Sequence, residues 1–243
     1  MREKTELQTA LTKKGSAFKK YRALVTGKGG LFSLFKYEIV TFLLGGMNGA
    51  LGIFSRKIFY RLLFKKMGKG VILGKHLTIR HPEKILLGNN VIIDDYCVLD
   101  AKGDEKSGIS LADKVIISRN TILSCKGGKI EVGENTNIGT CCLIHSESSV
   151  KLGRNILIAA YTYLVGGGNH DFLRIDIPII AQPSVNLGGI VIQDNVWLGA
   201  RVTVLDGVTV GSGTVVGAAA LVNKNLPEFV VAAGVPARVI KRR

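Results

Sequence analysis

The sequence predicts a mainly β fold, a parallel β-helix, entered through an α-helical N-terminal segment. Aliphatic residues recur at every sixth position in runs: Leu73 and Ile79; Leu87, Ile93 and Leu99; Leu111, Ile117 and Leu123; Val132, Ile138 and Ile144; Leu152, Ile158 and Leu164. After a break the register resumes with Ile192, Leu198, Val204, Val210, Val216 and Val222. Smaller or β-branched residues such as Val91, Cys97, Thr121, Thr136, Cys142 and Thr214 stand two positions before the anchors, and glycine often follows them, as at Gly88, Gly133 and Gly199. A six-residue unit fits neither the 3.6-residue helical period nor isolated alternating strands. It fits short strands stacked in coils and separated by tight turns.

Taken in order, residues 1–30 are basic with no apolar stretch close behind, which predicts a mobile N-terminus and no secretory signal. Residues 31–69 read as helical. Their uncharged run from Ile39 to Phe54 falls short of the roughly 20 residues a membrane span needs, and Gly45, Gly46, Gly49 and Gly52 break it. Arg56, Lys57, Arg61, Lys65 and Lys66 stand among Phe59, Tyr60, Leu62, Leu63 and Phe64. Two readings of residues 31–66 follow, a cap over the apolar end of the solenoid or an element lying at an anionic membrane interface. Residues 70–226 carry the β-helix. Three hexapeptides close one triangular coil, and coils stacked at roughly 4.8 Å satisfy one another's backbone groups. Gly88-Asn89-Asn90 and Gly133-Glu134-Asn135 supply corners. Residues 227–243 form a C-terminal tail.

Thirty-three Lys and Arg against 18 Asp and Glu give a net charge of +15, which favours anionic partners. Nucleic acid ranks low among them, because no aromatic and basic recognition module or zinc-finger spacing is present. Cys97, Cys125, Cys141 and Cys142 form neither a disulfide framework nor a paired metal spacing, so reduced thiols in the cytoplasm are the simpler reading.

Over about residues 70–240 this pattern resembles the left-handed β-helix of the hexapeptide-repeat acyltransferases, in the sugar O-acetyltransferase branch of bacterial polysaccharide biosynthesis. The left hand comes from the resemblance alone, since parallel crossovers are mostly right-handed. The resemblance implies acetyl-CoA as co-substrate, no prosthetic group, and a hydroxylated sugar or glycan acceptor, free or lipid-linked. It also implies a homotrimer with sites between subunits, in the cytoplasm or at the inner face of the membrane. Transfer to an amine, transfer from an acyl carrier protein, and a non-catalytic membrane-associated scaffold stand as alternatives.

Between Leu164 and Ile192 a loop over about residues 166–189 is pushed out between Gly166–Gly168 and Gly188–Gly189, and it presents Asn169, His170, Asp171, Arg174 and Asp176. Loops on rigid scaffolds are where catalytic groups concentrate. Gly168-Asn169-His170-Asp171-Phe172 looks like the family's catalytic site, which implies His170 as general base; imidazole titrates near neutral pH. The plain alternative has His170 capping a glycine-rich turn. Asp171 or Asp176 is a candidate to orient the imidazole, with Asn169 and His145 as further candidates for acceptor binding. His76 and His81 read as structural. No metal is expected, because the zinc-binding branch of the fold needs three histidines and His145 and His170 are widely separated.

On the donor side, Trp197, Gly199 and Ala200 match the segment that lines the family's pantetheine groove. A backbone N–H at Gly199 or Ala200 is the candidate oxyanion donor. Gly234-Val235-Pro236-Ala237-Arg238 matches the family's tail motif, which implies adenine contact by Pro236 and Ala237 and phosphate contact by Arg238, helped by Lys224 or Lys241. For Lys241, Arg242 and Arg243 the alternative is a frayed, solvated tail.

Overall fold

Every six-spaced anchor from Leu73 to Val222 points inward and is at most 3% exposed. The computed structural model describes residues 16–27, 29–103 and 107–243. These build a triangular β-solenoid whose three faces are sheets of seven, nine and seven strands. The first face begins with Lys66–Met67 and ends with Thr209–Val210, the second begins with Ile72–Leu73, and the third runs from Thr78–Arg80 to Leu221–Val222. Apart from the last strand of the second face, strands are parallel and in register, so anchors stack in columns; Ile93, Ile117, Ile138, Ile158, Leu198 and Val216 form one on the second face.

The residue two before each anchor also faces inward, and where it is polar it bonds to the next coil. Thr121 Oγ1 donates to Gly139 O (2.7 Å) and Thr136 Oγ1 to Gly153 O (2.9 Å). Cys97 and Cys142 occupy the same position, their Sγ atoms 3.2 and 3.3 Å from Ser118 O and Ala159 O. Burial raises the Cys97 thiol to about 11 and the Cys125 thiol to about 12, from an ordinary value of 9.0. Because the folded values lie above the unfolded one, the stability these neutral thiols contribute is complete below pH 9 and is lost as pH rises through 11 to 12. At pH 8, Ellman's reagent is therefore expected to find one fast thiol, the half-exposed Cys141, and four after denaturation. Two or more fast thiols in the native protein would contradict this packing.

Corner chemistry departs from the sequence expectation. Asn90, Asn135, Asn155 and Asn195 hold left-handed backbone, as turn-formers should, but so do Tyr96, Lys114, Cys141, Tyr161 and Arg201, with φ between 57° and 61°. Such residues meet a cost of about 1–2 kcal/mol in that region. The stack offsets it, since each corner N–H donates to the coil below, as Tyr96 N does to Lys75 O (2.9 Å) and Arg201 N to Ala160 O (3.0 Å). The side chains stack outside: the His76 and Tyr96 rings lie 5.1 Å apart, and the Arg201 guanidinium sits 5.8 Å from the Tyr161 centroid.

Three helices, α1 (Ala17–Val25), α2 (Leu31–Leu44) and α3 (Gly49–Phe59), close the first coil. Leu34, Tyr37 and Val40 form the buried side of α2, and Tyr37 Oη donates to Ile79 O (2.8 Å). Arg56 corrects an expectation. Grouped by sequence with the cations of a membrane-interface reading, it is 2% exposed, and its guanidinium donates to the carbonyls of Leu73 (2.9 Å), Leu44 (3.0 Å) and Met47 (2.7 Å). The helix-to-helix turn is thereby tied to the solenoid. The mobile lead-in expected over residues 1–30 gives way over residues 17–25 to α1, whose last residue Val25 is fully buried and accepts from His81 N (2.8 Å). Residues 1–15 and 28 lie outside the described residues.

The far end is also ordered. Val230–Ala233 joins the second face, and Arg238–Arg242 pairs antiparallel to it as the edge strand, so Lys241 and Arg242 are not a frayed tail.

Candidate active site

The long loop leaves the third face after Tyr163–Gly166 and returns on the first face at Ile190–Ile192. Its base must pass close to the coil beneath, and glycine is what permits this. A Cβ on Gly167 would lie 2.5 Å from the Glu147 Cβ, and one on Gly189 would lie 2.4 Å from Ser149 O, with both residues at positive φ. Beyond the base, Asn169–His170 pairs antiparallel with Ser184–Val185, and Asp171 N donates to Pro183 O (2.9 Å). The fully buried Gln182 closes the outer part, donating through Nε2 to Arg174 O (2.7 Å) and accepting from Arg174 N (3.2 Å).

Sequence reasoning missed the residue that fixes this base. Asp206, 7% exposed at the corner of the next coil, accepts four hydrogen bonds. Oδ1 accepts from Gly189 N (2.8 Å) and Ser148 Oγ (3.1 Å), and Oδ2 from Asn169 Nδ2 (2.9 Å) and Leu187 N (3.0 Å). One carboxylate thus holds both ends of the loop and the side chain next to His170. Removing it leaves buried donors unpaired, at about 1–3 kcal/mol each. Asp206→Ala is expected to speed tryptic cleavage after the exposed Arg174 at least tenfold, with Asp206→Asn intermediate; equal rates in all three proteins would show that the loop stands without the clasp.

His170 is half-buried in the paired strand, and its Nδ1 is buried with no partner among the described residues. Neither acidic candidate reaches it. Asp171 Oδ1 accepts from Leu173 N (3.0 Å), and Asp176 is bound by the Arg174 guanidinium, which holds the Asp176 carboxyl below the usual carboxylate range. His145 projects outward from the third face, its Nε2 3.7 Å from a Glu147 carboxylate oxygen that also pairs with Lys126. Glu147 and Ser148 line a cleft of about 110 Å³ with Gly167, Gly168, Asn186 and Ser184–Val185, the strand that pairs with Asn169–His170. Among the described residues, no group of three or more His, Cys, Asp or Glu is placed to hold a metal ion.

The donor-side residues gather elsewhere. Trp197 stands half-exposed on the second face, in one row with Val215, Val231 and Lys241. Gly199 and Ala200 form the corner between the second and third faces, packed so closely that a Cβ on Gly199 would lie 2.7 Å from Ala218 N. The turn of the last hairpin sits over the same corner, where Ala237 N donates to Leu221 O (2.8 Å) and Pro236 and Arg238 are exposed. Gly199 N–H is already committed to Val216 O (2.8 Å), which excludes it as an oxyanion donor and leaves Ala200. Lys224 does not join this group; it is exposed beside Asn225, which bonds to Thr209, at the corner that carries the long loop. Within one chain, His170 and the donor-side group therefore occupy different corners, separated by a face about 15–20 Å wide for six extended residues.

A triangular solenoid with one extruded, histidine-bearing loop defines a hexapeptide-repeat protein, and the bacterial transferase hexapeptide family (six repeats) matches residues 189–224. The "Putative colanic acid biosynthesis acetyltransferase WcaF" of Escherichia coli is 34% identical over 130 residues, 54% of this chain and 68% of that protein. The galactoside O-acetyltransferase of Escherichia coli is 38% identical over 117 residues, 47% of this chain and 55% of that protein. The chain belongs to the hexapeptide-repeat acetyltransferase family. It spans between 55% and 68% of the length of these two relatives. Among solved structures, the N-acyltransferase AntD of Bacillus cereus, in complex with dTDP and 3-hydroxybutyryl-CoA, shares the fold with a TM-score of 0.54 at 24% identity, covering 77% of this chain and 88% of that one.

Proposed function

We propose that the protein is an acetyl-CoA-dependent O-acetyltransferase that acetylates a sugar hydroxyl in cell-surface polysaccharide synthesis, with His170 as general base. The observation that carries this reading is the clasped loop, in which the Asp206 carboxylate and the close-packed Gly167 and Gly189 hold the short strand pair that carries His170. Relatives named for O-acetyl transfer to galactosides and for colanic acid biosynthesis supply the acyl group and the acceptor class.

In the reaction His170 takes the acceptor hydroxyl proton as the oxygen attacks the thioester carbonyl. The tetrahedral oxyanion is stabilised by the Ala200 N–H, and collapse expels the CoA thiolate, which receives the proton back from the imidazolium. No covalent enzyme intermediate is needed. Cys97 and Cys125 are buried thiols with raised pKa values, ill suited to nucleophilic attack. Pro236, Ala237 and Arg238 take the adenine and phosphate end of CoA, and Lys241 adds charge.

The two halves of this machinery lie on different corners of the prism, so the site is completed when the His170 corner of one copy meets the Ala200 corner of a neighbour. A homotrimer accomplishes this with three equivalent sites. The acceptor is a hydroxylated sugar or glycan, free or lipid-linked, and residues 31–66 bring the enzyme to the inner face of the membrane. Free-thiol release from acetyl-CoA across a panel of mono- and oligosaccharides tests the reading: acceptor-dependent turnover supports it, and failure to bind acetyl-CoA overturns it.

A further inference from the structure

We propose that the outward sides of α2 and α3 form a continuous seat for an anionic lipid bilayer, distinct from the sides that cap the solenoid. This deepens the membrane contact of the proposed function but stands on the helices alone.

α2 is apolar on two opposite sides, with Lys36 and Glu38 between them, and each apolar side needs an apolar medium. The solenoid provides one through Leu34, Tyr37 and Val40. On the opposite side Phe32, Phe35, Ile39 and Phe42, spaced three, four and three, are exposed, Phe32 by 78% and Phe42 by 85%. The neighbouring α3 repeats the division. Gly52 and Arg56 are buried, whereas Leu51, Phe54 and Ile58 form an exposed stripe that continues to Leu62. Monomeric proteins rarely leave so many large apolar side chains contiguous and bare.

Charge selects the occupant. Lys57 and Arg61, one turn apart, flank the α3 stripe and are exposed, as are Lys65 and Lys66 just beyond it, an arrangement that lets cations reach headgroups while aromatic rings enter the acyl boundary. From Ser16 to Lys66 the only acidic residue is Glu38, and it is engaged by Tyr21 Oη (2.6 Å). A second copy of this chain, with its own +15 charge, would bring the same cations to the contact. A surface of phosphate headgroups brings the opposite charge. The helices lie in the interface and do not span it: α2 has 14 residues, about 21 Å at 1.5 Å per residue, against roughly 30 Å of hydrocarbon. Among the described residues, no helix is long and apolar enough to cross a membrane.

The test is co-sedimentation of the full chain with vesicles of phosphatidylcholine, with and without one quarter phosphatidylglycerol, at 0.15 M and 0.5 M NaCl. Wild type is expected to partition at least tenfold better onto the anionic vesicles and to weaken severalfold in high salt. The variants Phe35→Ser/Phe42→Ser and Lys57→Glu/Arg61→Glu are each expected to lose at least tenfold. Their thermal transitions and acetyl-CoA turnover without vesicles stay unchanged, so a failure here is separable from failure of the acetyltransferase reading. Absence of binding to anionic vesicles, or binding indifferent to both double variants, overturns the proposal. So does a drop in oligomeric state of Phe35→Ser/Phe42→Ser with vesicle binding intact, which would make the surface a contact between copies.

Discussion

His170→Ala is expected to lower acceptor-dependent kcat by about 10²–10⁴-fold, the range that a positioned general base contributes. The loss falls on kcat because the donor-side group sits on another corner of the solenoid; acetyl-CoA affinity, measured by calorimetry, is expected to stay within about twofold, since the substitution removes no donor contact. Asp171→Asn and Asp176→Asn are the informative companions. Both carboxylates are engaged within the loop, by Leu173 N and by Arg174, so each variant is expected to keep turnover within a fewfold of wild type. Should Asp171→Asn match His170→Ala, the imidazole would depend on a contact that forms only when substrate or a neighbouring subunit is bound. A His170→Ala protein with full turnover would assign the chemistry to another residue, with His145 the next to test.

The second large effect is on stability. Ile138 is fully buried, and its column neighbours Ile117 and Ile158 are held in place by ladder bonds on both sides, which limits how far the site can collapse around a void. Ile138→Ala is therefore expected to cost about 2–5 kcal/mol, or about 5–15 °C in Tm for a chain of this size. Asn137, one residue earlier, faces outward, and Asn137→Ala is expected to change Tm by no more than about 2 °C. Thermal denaturation of the pair is a direct test of register: equal losses would mean that the inward and outward sets are misassigned.

The inward set was legible in the sequence because a fixed period puts Leu73, Ile138 and Val222 on the same side of every coil, and no tertiary contact is needed to see it. The place of the loop was legible for the same reason, as the one long gap in that period. The corners were less so. Left-handed backbone at Tyr96, Lys114 and Arg201 is imposed by bonds to the adjacent coil, which residue preference does not reveal. Asp206 was invisible because its partners Ser148, Asn169, Leu187 and Gly189 come from two coils and both ends of the loop; the Asp206-Gly207 pair at a corner was the sole local mark. Arg56 could not be told from its neighbours Lys57 and Arg61 by residue type, and only the helix packing shows the three carbonyls that hold it. Lys224 matched the donor set by likeness, and within one chain the coil geometry puts it on the loop corner, away from Ala200.

The loop interrupts the chain for more than twenty residues, yet the coils on either side of it pair as though it were absent, Val150 with Ile190 and Leu152 with Ile192. The scaffold is thus indifferent to what hangs from that corner, provided the ends meet and the glycines and the carboxylate beneath them are kept. Length and sequence beyond the clasped base can therefore change without disturbing the stacking of the core.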